Sequence, residues 1–404
     1  MMGPTTPPQE RVPTVLLGVG LPGLDIARSL GRRGIRVIAV DWRRTWGCRS
    51  RYLCTAFPQS RSDECLLDLL LRLGARLATR PLLMPLNDDY VLFVSRHRSE
   101  LSASYRFLMP DPAVTEGLVS KFGLWSLCNG NGVALPATYL ARAGADLARL
   151  ASRLPYPCII KPNLSRDWEH SRPAMVGVAQ KAIEIRSPAE LAQVGKVVRP
   201  GSEVVVQEVI PGPDSNLYYL AAYLDQHSQP LAAFVGRKLR TEPPHFGKGT
   251  YVESVRAPEL IDLGTGLLRR LAYKGCGGVE FKLDPRDGVF KLIEINTRFG
   301  LWDGFAAECG LDLAYLAYAD AMGLPLPPHD TYRAGVHWVQ LDRDCWAALG
   351  YLRAGEMSLG SWLRSLIGCR VFAPAAVDDP SPFIAVNLIF GRDVAAAARR
   401  RLLT

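Results

Sequence analysis

Two short segments hold the residues with the clearest chemical use, 278–283 and 289–296. Both read as strands, and side chains along a strand alternate between faces. Glu294, Asn296 and, if the strand continues, Arg298 therefore share one face, together with Phe290 and Leu292. The intervening Asp-Pro-Arg-Asp-Gly at 284–288 is a turn sequence, which predicts a hairpin. With the turn centred near Asp287, Glu280 faces Glu294 to within one register step. Two facing carboxylates repel, and a fold tolerates them best with a cation between them. Two carboxylates and an amide oxygen are hard ligands suited to Mg2+, with Mn2+ as an alternative. Mg2+ keeps part of its shell for water and phosphate oxygens, which points to a nucleoside triphosphate. Arg298, just past the ligands, suits stabilisation of a transferring phosphoryl group. Phe, Leu, Glu and Asn in series on one face are unlike a solvated hairpin.

Other elements must bring the rest of such a site together. Residues 156–162 form a short buried strand in which Lys161 follows two isoleucines and precedes Pro162, a poor place for a solvated lysine. Residues 118–127 read as a helix carrying Lys121. All nine lysines lie between Lys121 and Lys291, whereas the flanks use only arginine. Residues 204–209 are a strand ending in Ile210-Pro-Gly-Pro-Asp214, where Asp214 suits either a turn or a ligand contact. Residues 217–224 and 231–236 read as an antiparallel pair. The following Arg237-Lys238 either lines a cleft or ends a hairpin, and 241–250 reads as a mobile loop over that cleft.

The N-terminal part is a β-α-β unit. Strand 14–19 runs into Gly18-x-Gly20-x-x-Gly23, a helix at 24–30 follows, and strand 35–40 ends at Asp41. This matches a dinucleotide-binding fingerprint, so an NAD-dependent dehydrogenase is one alternative. It equally suits a tight strand-to-helix turn, and Pro22 removes a backbone N–H from the loop. Asn87 and Asp88 end a strand where α/β sheets bind ligands, and they also suit a helix cap.

Taken together, these residues resemble the ATP-grasp superfamily, of the carboxylate–amine ligase type. Glu294-Ile-Asn-Thr-Arg298 resembles its metal and phosphate strand, and Glu280 the carboxylate of the preceding strand. Lys161 and Lys121 resemble its two phosphate-contacting lysines. Gln207, Glu208, Val209 and Ile210 resemble the hinge that binds the adenine edge, and Asp214 the acid that holds the ribose. The resemblance covers roughly residues 14–325 in five ordered motifs. It implies an α/β architecture in four parts. These are a parallel-sheet pre-ATP-grasp domain (1–115), a lid subdomain (116–200), a nucleotide and metal subdomain (201–330) and a C-terminal extension of unassigned role (331–404). It also implies ATP-dependent amide formation through an acyl phosphate, with Arg298 and Lys161 in catalysis. Gly20, Asn87, Asp88 and Arg237 would face the substrates, a small carboxylate and an amine of the amino-acid or small-peptide class. A carboxylase using bicarbonate is the nearest rival. One departure stands out: the lid loop 163–175 lacks the family's glycines and carries Arg166, Asp167, Trp168, Glu169, His170 and Arg172 instead.

The composition agrees. The chain has 404 residues, 22% of them charged, enough for a sizeable core and not the balance of a disordered chain. No run of eighteen apolar residues predicts a membrane span, and the N-terminus lacks the pattern of a signal peptide. Nine scattered cysteines without a C-x-x-C pair suit reduced thiols and a cytoplasmic setting. The net charge of +9 is dispersed along the chain, which suits an anionic small substrate better than nucleic acid. Oligomeric state is left open, a homodimer included.

Overall fold

The computed structural model describes residues 11–142, 144–164, 182–196 and 202–402. The expected lid loop therefore lies, beyond Leu164, outside the described residues.

Apolar runs at Thr14–Leu17, Val37–Val40 and Leu82–Pro85 are buried on both faces. With Leu53–Ala56 they form a four-stranded parallel sheet in the order 53–56, 37–40, 14–17, 82–85. Such double burial is what a parallel sheet covered by helices requires. The glycine loop enters helix Leu21–Arg32 directly. Gly18 adopts a φ of +103°, and a Cβ on Gly23 would fall 2.7 Å from the Gly18 carbonyl oxygen. Glycine is needed at both places for the turn itself. Asp41, the acid of the dinucleotide fingerprint, accepts the Val19 N–H at 2.7 Å and holds this loop closed.

A second, four-stranded antiparallel sheet runs 138–141, 204–208, 158–162, 183–185. Strand Val204–Glu208, expected with the nucleotide subdomain, is thus the second strand of the small sheet; Val204–Val206 are buried. The expected helix over 118–127 is two helices, Pro112–Val119 and Lys121–Cys128. They break at Ser120, whose hydroxyl caps the second helix by accepting the Gly123 N–H.

The third sheet has seven strands, in the order 290–296, 275–283, 217–224, 230–242, 248–254, 337–340, 371–373. Its hairpin Phe290–Asn296 on Gly275–Leu283 packs Val279, Phe281, Leu292 and Ile295 into one core. Of residues 241–250, expected as a mobile loop, half belong to strands Pro230–Glu242 and Lys248–Ser254, and 243–247 form the turn. The turn between them is pinned by Asp214, which accepts the Thr241 hydroxyl at 2.7 Å and the His245 N–H at 3.1 Å.

Residues past 330 complete this sheet and return to the N-terminal unit. Asp379, 1% exposed, accepts Arg28 Nε at 3.0 Å, the Ser50 hydroxyl at 2.7 Å and the Arg51 N–H at 3.0 Å. Removing one member of a buried ion pair strands the other charge. Asp379→Ala is therefore expected to lower unfolding free energy by ~3–5 kcal/mol in urea titrations. A loss below ~1 kcal/mol, the range of a surface pair, would show that Arg28 is not held by this carboxylate.

Candidate active site

The hairpin register sets Glu280 directly opposite Glu294 and Gly278 opposite Asn296. A bulge follows at once, because Phe281 pairs with Leu292 and leaves Ile293 as an extra residue. The extra residue shifts the alternation, so Leu292 and Ile295 both reach the core. Phe290 and Leu292 therefore do not share a face with Glu294, contrary to unbroken period-two alternation. Gly278 is required by close approach: a Cβ there would lie 2.1 Å from Tyr219 Oη.

Each facing carboxylate is met by a lysine. Lys121 donates to Glu294, and Lys238 donates to Glu280 at 2.6 Å. Lys238 is 3% exposed, and its ammonium lies 5.2 Å from the Trp302 ring centroid. Arg298 donates to Asp88 at 2.9 Å. Lys161 donates to Gln207 Oε1 at 2.8 Å, and Gln207 passes its own N–H to Thr138 at 2.9 Å. Lys121, Lys161, Lys238 and Arg298 thus converge around Glu280, Glu294 and Asp88.

The electrostatics follow from this crowding. Burial pushes the Lys161 pKa down to about 8, helped by the neighbouring Lys121 and opposed by Glu294. Burial also works against charge on Lys121, but the Glu294 carboxylate outweighs it and holds that pKa above the ordinary lysine range. Lys121 owes its position to Asn163. The side-chain oxygen of Asn163 accepts from Ser120 Oγ at 2.9 Å and from the Phe122 N–H at 3.0 Å, and its carbonyl accepts the Lys121 N–H.

The donor set fits a Mg2+ ion. Glu280, Glu294 and Asn296 offer two carboxylates and an amide on adjacent strands, and the carboxylates now draw lysines as counter-charges. Among the described residues no group of three or more His, Cys, Asp and Glu side chains has metal-binding geometry. A partial shell of this kind leaves positions for phosphate oxygens, as Mg2+ prefers.

The other expected residues have structural partners of their own. Arg237 points away from Glu280 and donates to Glu253, its cross-strand partner, at 2.6 Å. Of the Arg237-Lys238 pair it is Lys238 that reaches Glu280, whereas Arg237 was the one expected to face substrate. The available signal was alternation, since two adjacent strand residues cannot both face the cleft. Asp214 is 4% exposed, and its Oδ2 is occupied by Thr241, His245 N–H and Tyr351. Through Oδ2 it clasps a turn, while its buried Oδ1 accepts no hydrogen bond among the described residues and lies 3.5 Å from His245 Nδ1. Asn87 caps helix Asp88–Arg96 by accepting the Tyr90 N–H at 2.9 Å. Gly20 is the N-cap residue of its helix and is exposed. At the hinge, Glu208 accepts the Ala137 N–H at 3.1 Å, Val209 donates to Pro157, and Ile210 is buried.

Comparison with known proteins bears on this arrangement. Residues 257–329, which span the carboxylate hairpin, match the carbamoyl-phosphate synthase L chain ATP-binding domain family. The chain is similar to a D-aspartate ligase of Enterococcus faecium, 29% identical over 281 residues. That match covers 65% of this chain and 65% of the ligase, so the chain spans just under two thirds of that relative's length. Among solved structures, an L-amino acid ligase from Bacillus licheniformis superposes with a TM-score of 0.60 at 16% identity, covering 78% of this chain and 75% of that one. An N5-carboxyaminoimidazole ribonucleotide synthetase in complex with ADP superposes with a TM-score of 0.65 at 14% identity, covering 86% of both chains. The family match over 257–329, the ligase relative and the likeness of fold all accord with the ATP-grasp resemblance of the ordered motifs.

Proposed function

We propose that this protein is an ATP-dependent carboxylate–amine ligase. The observation that carries the reading is the register pair Glu280–Glu294, ringed by Lys121, Lys161, Lys238 and Arg298. ATP binds with its phosphates toward these cations and its adenine toward 207–210. The γ-phosphoryl group passes to a substrate carboxylate, giving an acyl phosphate and ADP. An amine then attacks the acyl carbon, phosphate leaves, and an amide forms. The difficulty is that two anions must meet, so cations must screen them. Lys161 and Lys121 screen the triphosphate, and Lys238 reaches the transferring group from the far strand. Arg298, oriented by Asp88, stabilises charge at the acyl phosphate. Mg2+, held by Glu280, Glu294 and Asn296, would supply Lewis-acid polarisation of the phosphate oxygens.

The names of the relatives support an amino acid as a substrate. Alternative readings have less behind them. In the dehydrogenase reading Asp41 would hold a ribose, but here it holds the Val19 N–H. The test is ADP release across a panel of carboxylates and amino acids, with hydroxylamine added to trap the acyl phosphate as a hydroxamate. ADP release that needs both a carboxylate and an amine, with an amide found by mass spectrometry, is the expected result. ADP release with bicarbonate and no amine would instead make the protein a carboxylase.

A further inference from the structure

A cavity of about 890 Å³ opens where the N-terminal unit meets the seven-stranded sheet's helices, away from the carboxylate pair. Four arginines line it: Arg80, Arg96, Arg98 and Arg106. In sequence they are spread over 27 positions; the fold gathers them at one opening. Three of them have no carboxylate partner among the described residues. Arg80 donates to the carbonyls of Ser102 and Tyr105, Arg98 to that of Pro110, and Arg106 to that of Ala321 at 3.4 Å. Carbonyl oxygens orient a guanidinium but carry no full negative charge to balance it. Among the four, Arg96 makes the one direct ion pair among the described residues, with Asp63 at 3.1 Å, while Asp111 lies near enough to Arg98 to favour its charge. The one carboxylate in the lining, Asp320, accepts the Tyr223 hydroxyl at 2.7 Å.

A second, independent observation points to a ligand. Ser95 also lines the cavity; it is 4% exposed, and its hydroxyl has no hydrogen-bond partner among the described residues. Arg98 Nε is likewise buried without a partner. Orphaned donors of this kind are costly and call for an acceptor. Burial lowers the Arg98 pKa, and a bound anion would offset that cost. Phe107, whose ring centroid lies 5.6 Å from the Arg98 guanidinium, adds an apolar wall.

We propose that this cavity binds a phosphorylated small molecule carrying two or more negative charges. Guanidinium forks match phosphate oxygens in pairs, and the Ser95 hydroxyl and Arg98 Nε supply the remaining donors. A concave, partly apolar chamber of this volume suits a small ligand. A nucleic-acid strand would instead need a basic track with stacked aromatics. The site is separate from the carboxylate pair. Helix Asp88–Arg96 has Asp88 against Arg298 at one end and Ser95–Arg96 at the cavity, about 11–12 Å apart by helical rise.

The test is titration calorimetry of the full chain with sodium pyrophosphate in EDTA, in the wild type and in Lys161→Ala, whose triphosphate site is impaired. Saturable binding is expected to persist in Lys161→Ala. It should weaken about tenfold or more in the Arg98→Gln, Arg106→Gln double variant. Arg98 also bonds the Pro110 carbonyl. Should thermal melts show the double variant unfolded, the Arg106→Gln single variant decides by the same criterion. Three results would overturn the proposal. These are no saturable binding, binding lost in Lys161→Ala but kept in the arginine variants, or arginine-dependent binding of a single-stranded oligonucleotide with none of pyrophosphate.

Discussion

Glu294→Gln is expected to reduce carboxylate- and amine-dependent ADP release by about a hundredfold to a thousandfold, the loss seen when one preorganised charge contact is removed. The substitution keeps side-chain shape and removes one negative charge. Two effects oppose each other in the resting protein. Repulsion from Glu280, directly across the ladder, is relieved. Lys121 loses its main counter-charge, which its pKa depends on. Folding is therefore expected to survive, and thermal melts should show it. The functional loss has no such compensation, because one carboxylate and two amides hold a divalent ion far less well than two carboxylates and an amide. Weaker Mg2+-dependence of nucleotide binding should accompany the loss of turnover. Glu253→Gln is the matched control. It lies in the same sheet, four strands across from Glu294, and engages Arg237, outside the site. Turnover that survived in Glu294→Gln as it does in Glu253→Gln would remove the hairpin from the chemistry.

Lys161 yields the second large effect, and it carries a pH signature. Its pKa of about 8 means the ammonium is lost as pH rises through that value. Without added metal, nucleotide affinity should therefore fall between pH 7 and 9 in the wild type. Lys161→Ala should bind nucleotide about ten- to a hundredfold more weakly at neutral pH, the worth of one charge-assisted hydrogen bond, and should show no such pH step. Stability runs the other way. The folded pKa lies below the ordinary lysine value of 10.5, so the unfolded chain binds more protons between pH 8 and 10.5. The contribution of this group to stability accordingly rises with pH across that window. Lys161→Met, which removes a charge held against its burial cost, should fold at least as stably as the wild type. A metal-free nucleotide affinity that stayed flat from pH 7 to 9 would show that Lys161 does not reach the phosphates.

Much of this was legible along the chain. Period-two alternation and one strong turn sequence were enough to set Glu280 opposite Glu294, because a hairpin's register is local. The buried run before Lys161 and the β-α-β pattern at the N-terminus were legible for the same reason. The errors arose where one residue's difference changes a face. Ile293 enters as a bulge and moves Leu292 to the core side, and no local propensity announces a bulge. Arg237 and Lys238 are neighbours of like charge, and only the placement of Trp302 and Glu280 beneath one of them separates their roles. Asp214 has the composition of a turn and the position of a ligand contact. It became a buried clasp because Tyr351, 137 positions away, folds onto it.

The amino-acid sequence by itself determined what short-range physics can specify: strand faces, hairpin register, helix caps, and the residue types able to hold a divalent ion and a triphosphate. Only the tertiary structure decided which charges meet. Asp379 reaches Arg28, and Arg80, Arg96, Arg98 and Arg106 share one cavity, through contacts that no periodicity encodes. The physical reason is range. Backbone hydrogen bonding and side-chain alternation act over a few residues. The burial of a charge, and so its need for a partner, depends on which distant surfaces exclude water from it.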